Sequence, residues 1–289
     1  MAERFSELQA RIETVHKLSA VIAAMRGIAA SRAQQARQHS DSIRVFADTI
    51  GEAIGHALAL RSDVPQTVTV SDTASVRTTI ILIGAEQGFA GSFSERIFEA
   101  ASDLLSLPHE LLVVGDRGML VTEERKQTVA WSAPMISHPA QATTLANQIT
   151  EGLYEQLVSD LASKVVVVHA MPGNAEAGHI VRKQLVPFDY SRFSVPDHAI
   201  EPMVSLSPRD LLNGLVEEYI FSELVEAVML SFAAENEARM RAMMAAHDNV
   251  KKSLNDLIAQ SRRMRQEAIT DEIIEISIGG QGQSANLTL

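Results

Sequence analysis

All nine prolines of this 289-residue chain fall between Pro65 and Pro208, so neither long flank contains one. Proline inside a helix costs about 3 kcal/mol, because it lacks an N–H and its ring strikes the preceding turn. Proline-free flanks of this length permit two long helices around a differently built middle. Hydrophobic spacing has to supply the rest of the argument.

From Arg4 to about Leu60 the residues are helix formers. Ile12, Val15, Leu18, Ile22, Met25 and Ala29 follow at steps of three or four, and Ile43, Phe46, Ile50, Ile54 and Leu58 resume the stripe. The other flank opens on Ser207-Pro208-Arg209-Asp210, an N-cap, a first-turn proline and an acid at the positive dipole end. Its helical pattern is expected to run to about Ile278 and stop at Gly279-Gly280. Met240, Met243, His247, Val250, Leu254, Leu257, Ser261, Met264 and Ala268 form a seven-residue repeat, the mark of a coiled-coil seam. Helices this long need a partner surface. The obvious partner is the other terminal helix, running antiparallel if the middle brings the chain back.

The middle reads as α/β. Thr78–Ile83, Leu111–Val114 and Val165–Val168 are continuous apolar runs bounded by turn residues, as strands buried on both faces are. Helical patterns at Phe93–Leu105 and Leu145–Leu161 lie between them, which predicts a mainly parallel, Rossmann-like sheet. His179–Pro187 offers a further strand. The expected divisions are residues 1–62 (N-terminal coiled-coil helix), 63–206 (α/β domain) and 207–289 (C-terminal coiled-coil helix and tail).

Gly84-Ala85-Glu86-Gln87-Gly88-Phe89-Ala90-Gly91 sits between a strand and a helix, where a phosphate-binding loop would be. It lacks a Gly-Lys-Ser/Thr ending and the dinucleotide glycine spacing, so it reads as a tight turn, as does Gly115-Asp116-Arg117-Gly118. The nine histidines show no pair at one-turn spacing for zinc, and no Gly-x-Ser-x-Gly elbow occurs. No catalytic residue, cofactor site or metal site is expected. Absence of cysteine excludes a disulfide scaffold and thiolate chemistry. A net charge of −11 and 4% aromatics argue against nucleic acid. No apolar run approaches the roughly 20 residues that cross a bilayer, and no signal core follows Met1, so an intracellular-type polypeptide is expected.

Charge is segregated. Residues 11–44 carry a balance of +4 and residues 239–265 one of +5, on a chain that is otherwise acidic. Antiparallel ends would set these basic bands side by side, facing an acidic partner.

The ends resemble the gamma subunit, the central rotor shaft, of F-type ATP synthases. Arg11 to Val15, Ala24-Met25 and Ile28 to Ser31 keep the spacing of that family's first helix. Glu235, Ala238 to Met243 and Ala246 to Asn249 are similar to its last helix, and Arg265-Gln266, Ile269 to Glu272, Glu275 and Gly279 to its terminal motif. Gln87 to Gly91 sits at the family's Gly-Leu-Cys-Gly turn. Ala20-Val21-Ile22 replaces the usual Lys-Ile-Thr, Ala85-Glu86-Gln87 the usual Ser/Thr-Asp-Arg, and Arg262, Gly280 and Gly282 also depart. These departures point to a divergent paralogue, such as gamma of the alternate, sodium-coupled bacterial type, and leave the coupling ion open.

The resemblance implies an antiparallel coiled coil with an inserted α/β domain, without catalysis of its own. It implies contact with the catalytic alpha and beta subunits, epsilon and the membrane rotor ring, at the cytoplasmic face of a bacterial inner membrane. It places Met25, Arg239, Arg265, Gln266, Thr270, Glu272, Ile273 and Ile276 at the alpha/beta ring. Two other readings stay open from residues alone: a coiled-coil scaffold or signalling protein with an inserted α/β sensor domain, and a nucleotide-binding enzyme built on the middle.

Overall fold

The computed structural model describes residues 2–60, 77–157, 164–173, 179–196 and 203–284, with side chains described for 4–60, 77–154, 164–173, 179–196 and 203–274. Helices α1 (Ala2–Ala59) and α6 (Pro208–Ser284) occupy the two proline-free flanks. Ser207 begins α6 as its residues suggest: its hydroxyl accepts the N–H of Asp210 at 3.2 Å and donates to the Asp210 carboxylate at 2.6 Å. Gly279-Gly280 does not stop α6, contrary to the expectation from sequence. Glycine in a helix costs about 1 kcal/mol against alanine but keeps its N–H and carbonyl, so it weakens the helix without ending it.

By internal packing the chain divides into two units, residues 28–241 and residues 1–27 with 242–289. The first unit holds one five-stranded sheet of β1 (Thr78–Ile83), β2 (His109–Val114), β3 (Trp131–Ala133), β4 (Lys164–Met171) and β5 (His179–Val186). The order is β3-β2-β1-β4-β5, parallel throughout except for β5, which runs antiparallel to β4. The expected 93–105 helix is two pieces, α2 (Phe93–Ala100) and α3 (Ser102–Leu105), parted at Ala101 (φ −101°). Helices α4 (Asp116–Glu124) and α5 (Ala142–Leu157) complete the set; residues 158–161 of the expected 145–161 helix lie outside the described residues.

Strand alternation sends the two sets of β1, β2 and β4 side chains to opposite faces. Ile81, Ile83, Leu112, Val114, Val165 and Val167 pack under α5 and under Leu224, Val225, Val228 and Phe232 of α6. Ile80, Leu82, Leu111, Val113, Val166 and Val168 pack under α2 and α4, and Ala234 and Ala238 of α6 join that second core. Helix α6 thus serves both cores and is buried on every side from Ala227 to Arg239. A helix apolar or internally bonded all round is an interior helix.

Helix α1 enters this unit through small buried residues, Ala29, Ala33, Ala36 and Ser40, at helical spacing. Arg37 pairs with Glu237 and Arg44 with Glu226, while Ile50, Ile54 and Leu58 cluster with Leu212 and Tyr219. As numbers rise on α1 their partners fall on α6, so the helices run antiparallel here. Phe46 of the expected stripe stays about half exposed.

The second unit is helical. Leu8, Ile22 and Met243 are buried, and Ile12, Val15, Met25, His247, Val250, Leu254, Leu257, Ser261 and Met264 are half-buried. Gln9 Nε2 donates to Ser261 Oγ at 3.5 Å, the antiparallel sense again, and Leu8 and Met264 line one groove with Arg4, Arg11, Gln260 and Glu267. Ala268, expected in the seam, is exposed. Position 9 thus lies opposite 261, and Arg4 shares the groove with Glu267.

Candidate functional site

The segment Ile83–Gly88, leaving the carboxyl end of β1, lies along α6. Three side chains four residues apart, and hence on one helical face, grip it in order. Ser231 Oγ donates to the Ile83 carbonyl at 3.1 Å. The Glu235 carboxylate accepts the backbone N–H groups of Glu86 (3.2 Å) and Gln87 (3.3 Å). Arg239 donates through Nε to the Gly88 carbonyl and through Nη2 to that of Gln87, both at 3.1 Å. The same guanidinium pairs with Glu235 and donates to Asn236 Oδ1, which fixes its plane. These three α6 side chains are at most 5% exposed. Burial pushes the Glu235 carboxyl above the ordinary carboxylate range, while Arg239 and the two N–H groups pull it back.

A phosphate would occupy the place this carboxylate takes, since two successive N–H groups converge on one oxygen. The neighbouring donors are also committed. Ala85 N–H goes to Ser94 Oγ, Gly115 N–H to the Ala133 carbonyl, Asp116 N–H to Glu86 Oε2 and Arg117 N–H to the Ala85 carbonyl. Gly115 has φ +95°, and a Cβ there would lie 2.6 Å from the Ala85 carbonyl oxygen, so glycine is required by the turn. The N–H groups of Gly84 to Gln87 and of Gly115 to Arg117 are thus taken by the chain's own acceptors.

Arg239, placed by resemblance at the alpha/beta ring, is enclosed within this chain, its guanidinium satisfied by the loop after β1 and by its own helix. Arg37, Arg44 and Arg241 likewise turn toward carboxylates, those of Glu237, Glu226 and Glu237. What remains exposed of the basic bands includes Arg11, Arg26, Lys251, Lys252, Arg262, Arg263 and Arg265. Met25 is half-buried, whereas Arg265, Gln266, Thr270, Glu272 and Ile273 are exposed on the stretch of α6 beyond Met264. The Thr270 hydroxyl donates to the Gln266 carbonyl at 2.9 Å. Ile276 lies in α6, with its side chain outside those described. The residues missed from sequence are Ser231, Glu235 and Asn236. The available signal was Ser231, Glu235 and Arg239 recurring at one-turn spacing.

A mainly parallel sheet, combined with terminal helices that pair antiparallel, defines a coiled-coil subunit with an inserted α/β domain. More particularly, the chain belongs to the ATP synthase family, whose model matches residues 4–282. The ATP synthase gamma chain of Frankia casuarinae is 28% identical over 304 positions, spanning all of both chains. That of Psychrobacter cryohalolentis is also 28% identical, over 95% of this chain and 97% of its own. The fold is shared with a chain of the rotor of Euglena gracilis mitochondrial ATP synthase (TM-score 0.64, 15% identity, covering 93% of this chain and all of that one). It is shared too with a chain of the central stalk and ring of the Tetrahymena thermophila mitochondrial enzyme (TM-score 0.55, 22% identity, 78% and 99% covered).

Proposed function

We propose that this chain is the gamma subunit, the central-stalk rotor, of an F-type ATP synthase. The observation that carries the reading is the family match over residues 4–282, on a chain whose terminal helices run antiparallel within each of its two units. Its partners are the catalytic alpha and beta subunits, epsilon and the membrane rotor ring, and it has no catalysis of its own. No helix among the described residues is long and apolar enough to cross a membrane. We place it peripherally, through the complex, at the cytoplasmic face of a bacterial inner membrane.

Ion flow turns the membrane ring and the subunit with it. An asymmetric surface then offers each catalytic subunit different contacts in turn, and the differential contact energy biases its nucleotide affinity. Met25 and the exposed Lys/Arg of α1 and α6 suit acidic loops of the beta subunits. Arg265, Gln266, Thr270, Glu272, Ile273 and Ile276 suit the collar of the alpha/beta ring. The family match displaces the sensor-scaffold alternative, and the Glu235 carboxylate on the N–H groups of Glu86 and Gln87 weighs against a nucleotide phosphate there.

The test is reconstitution with the other subunits in vesicles. The intact chain is expected to restore ATP-driven ion pumping, and a chain ending at Gln266 to weaken it while the sheet unit stays folded. Unchanged pumping by the truncated chain would overturn the assignment. Repeating the assay with and without sodium reads the coupling ion.

A further inference from the structure

We infer that Ser231, Glu235 and Arg239 form a torsional joint, positioning residues that keep α6 from turning or sliding against the sheet when the subunit bears load. The inference deepens the rotor reading and rests on it, since a rotor must pass torque between its sheet and its helices. All the groups involved belong to one packed unit.

The geometry is that of a rack. Ser231, Glu235 and Arg239 span two turns, about 12 Å of axis at 1.5 Å per residue. They hold, in the same order, Ile83, then Glu86 and Gln87, then Gln87 and Gly88. The loop contributes donors to Glu235 and acceptors to Ser231 and Arg239, so no shift by a residue or rotation by one position restores the bonds. Most of the remaining contact of α6 with the sheet is made by Leu, Val, Met, Phe and Ala, whose packing is non-directional, and Lys183 of β5 adds ion pairs to Glu223 and Glu226 further along the helix. Apolar burial decides that α6 lies on the sheet, and directional bonds decide where.

Stability alone does not explain the joint. Replacing a buried ion pair with apolar side chains of similar volume is often neutral or stabilising, so a buried Glu–Arg pair on an interior helix is poor at strengthening a fold. Its distinctive contribution is register. A second anchor acts in the same sense: Glu237 accepts the Gly173 N–H at 3.3 Å and pairs with Arg37 and Arg241.

The experiment uses the assembled ATPase in vesicles, with hydrolysis and ions pumped per ATP measured as the opposing gradient is raised. Arg239→Lys keeps the charge but loses the planar fork that reaches Gln87, Gly88, Asn236 and Glu235 together. It is expected to hydrolyse ATP within about twofold of wild type and to pump about fivefold fewer ions per ATP against a high gradient, the change confined to coupling. Glu235→Gln keeps an acceptor oxygen for the two N–H groups and is expected to fall between. Val228→Ala, an apolar truncation on the same helix, is expected to lower the melting temperature and leave ions per ATP unchanged. The inference is overturned if both joint variants pump as wild type at every gradient, or if Val228→Ala uncouples as they do. Should Arg239→Lys fail to assemble, Glu235→Gln decides alone. Failure of the wild-type chain to restore any pumping falls on the rotor reading, whereas normal wild-type pumping with unaffected variants falls on the joint only.

Discussion

The Glu86 carboxylate accepts the backbone N–H of Met135 at 2.7 Å. Its same oxygen takes the N–H of Asp116 at 3.2 Å, so one side chain staples the exits of β1, β2 and β3. Glu86→Ala would leave the Met135 N–H in a buried position without its acceptor. The expected loss is about 1–3 kcal/mol in denaturant unfolding, with little change in the denaturant slope. A loss of less than about 0.5 kcal/mol would mean that water replaces the carboxylate at no cost.

Two glycines of α1 should respond in opposite directions to alanine. A Cβ on Gly55 would run into the Ser194 carbonyl oxygen, which is backbone and cannot swing aside, so Gly55→Ala is expected to cost about 1–3 kcal/mol. Nothing lies within 4 Å of the corresponding point on Gly27, and Gly27→Ala should gain about 0.5–1 kcal/mol from helix propensity. Thermal melts of the two variants side by side give both signs.

His169 of β4 is 3% exposed. Burial lowers its pKa to about 4, opposed by a hydrogen bond to the Ala170 carbonyl and by Glu226, and aided by Lys183. The folded value lies below the ordinary 6.5, so the unfolded chain takes up this proton first. The contribution is therefore fully present above pH 6.5 and is lost as pH falls toward 4, a change of about 3 kcal/mol. Unfolding of His169→Gln should lack this part of the acid limb, so the difference in stability between wild type and variant narrows over that window. A constant difference from pH 7 to 4 would count against a neutral buried imidazole.

Basic residues of the two bands should separate into structural and interacting sets. Arg37→Ala takes a partner from the buried Glu237 and is expected to cost about 1–2 kcal/mol, moderated because the guanidinium is half exposed. Lys251→Glu with Lys252→Glu alters only exposed side chains and should move stability by no more than about 0.5 kcal/mol. The same reversal should weaken attachment to the catalytic subunits, with a smaller salt dependence than wild type in a binding titration.

The helices and central strands were legible because their signals are long and redundant. The span Thr78–Ile83 is apolar at four consecutive positions because both faces of β1 are covered, and α1 repeats its stripe over many turns. Strand β3 was not legible: three residues, with Trp131 and Ala133 half-buried and Ser132 exposed, carry too little pattern. The burial of Arg239 was not legible because a basic residue on a helix reads as surface, and only the folded chain brings the Gln87 and Gly88 carbonyls to it. The pairing of Glu235 with loop N–H groups was hidden for the same reason, since it joins positions almost 150 residues apart.

Helix α6 supplies Leu224, Val225, Val228 and Phe232 to one core and Ala234 and Ala238 to the other. During synthesis the strands emerge long before these residues do, so neither face of the sheet can be sealed until the chain is more than three-quarters made. The nascent subunit must therefore carry an incompletely covered apolar sheet from the emergence of β4 until these α6 residues arrive. Its final folding step coincides with the arrival of the segment that also completes the helix pair. A half-built chain is left as a substrate for chaperones and proteases, and only a finished one can join an assembly.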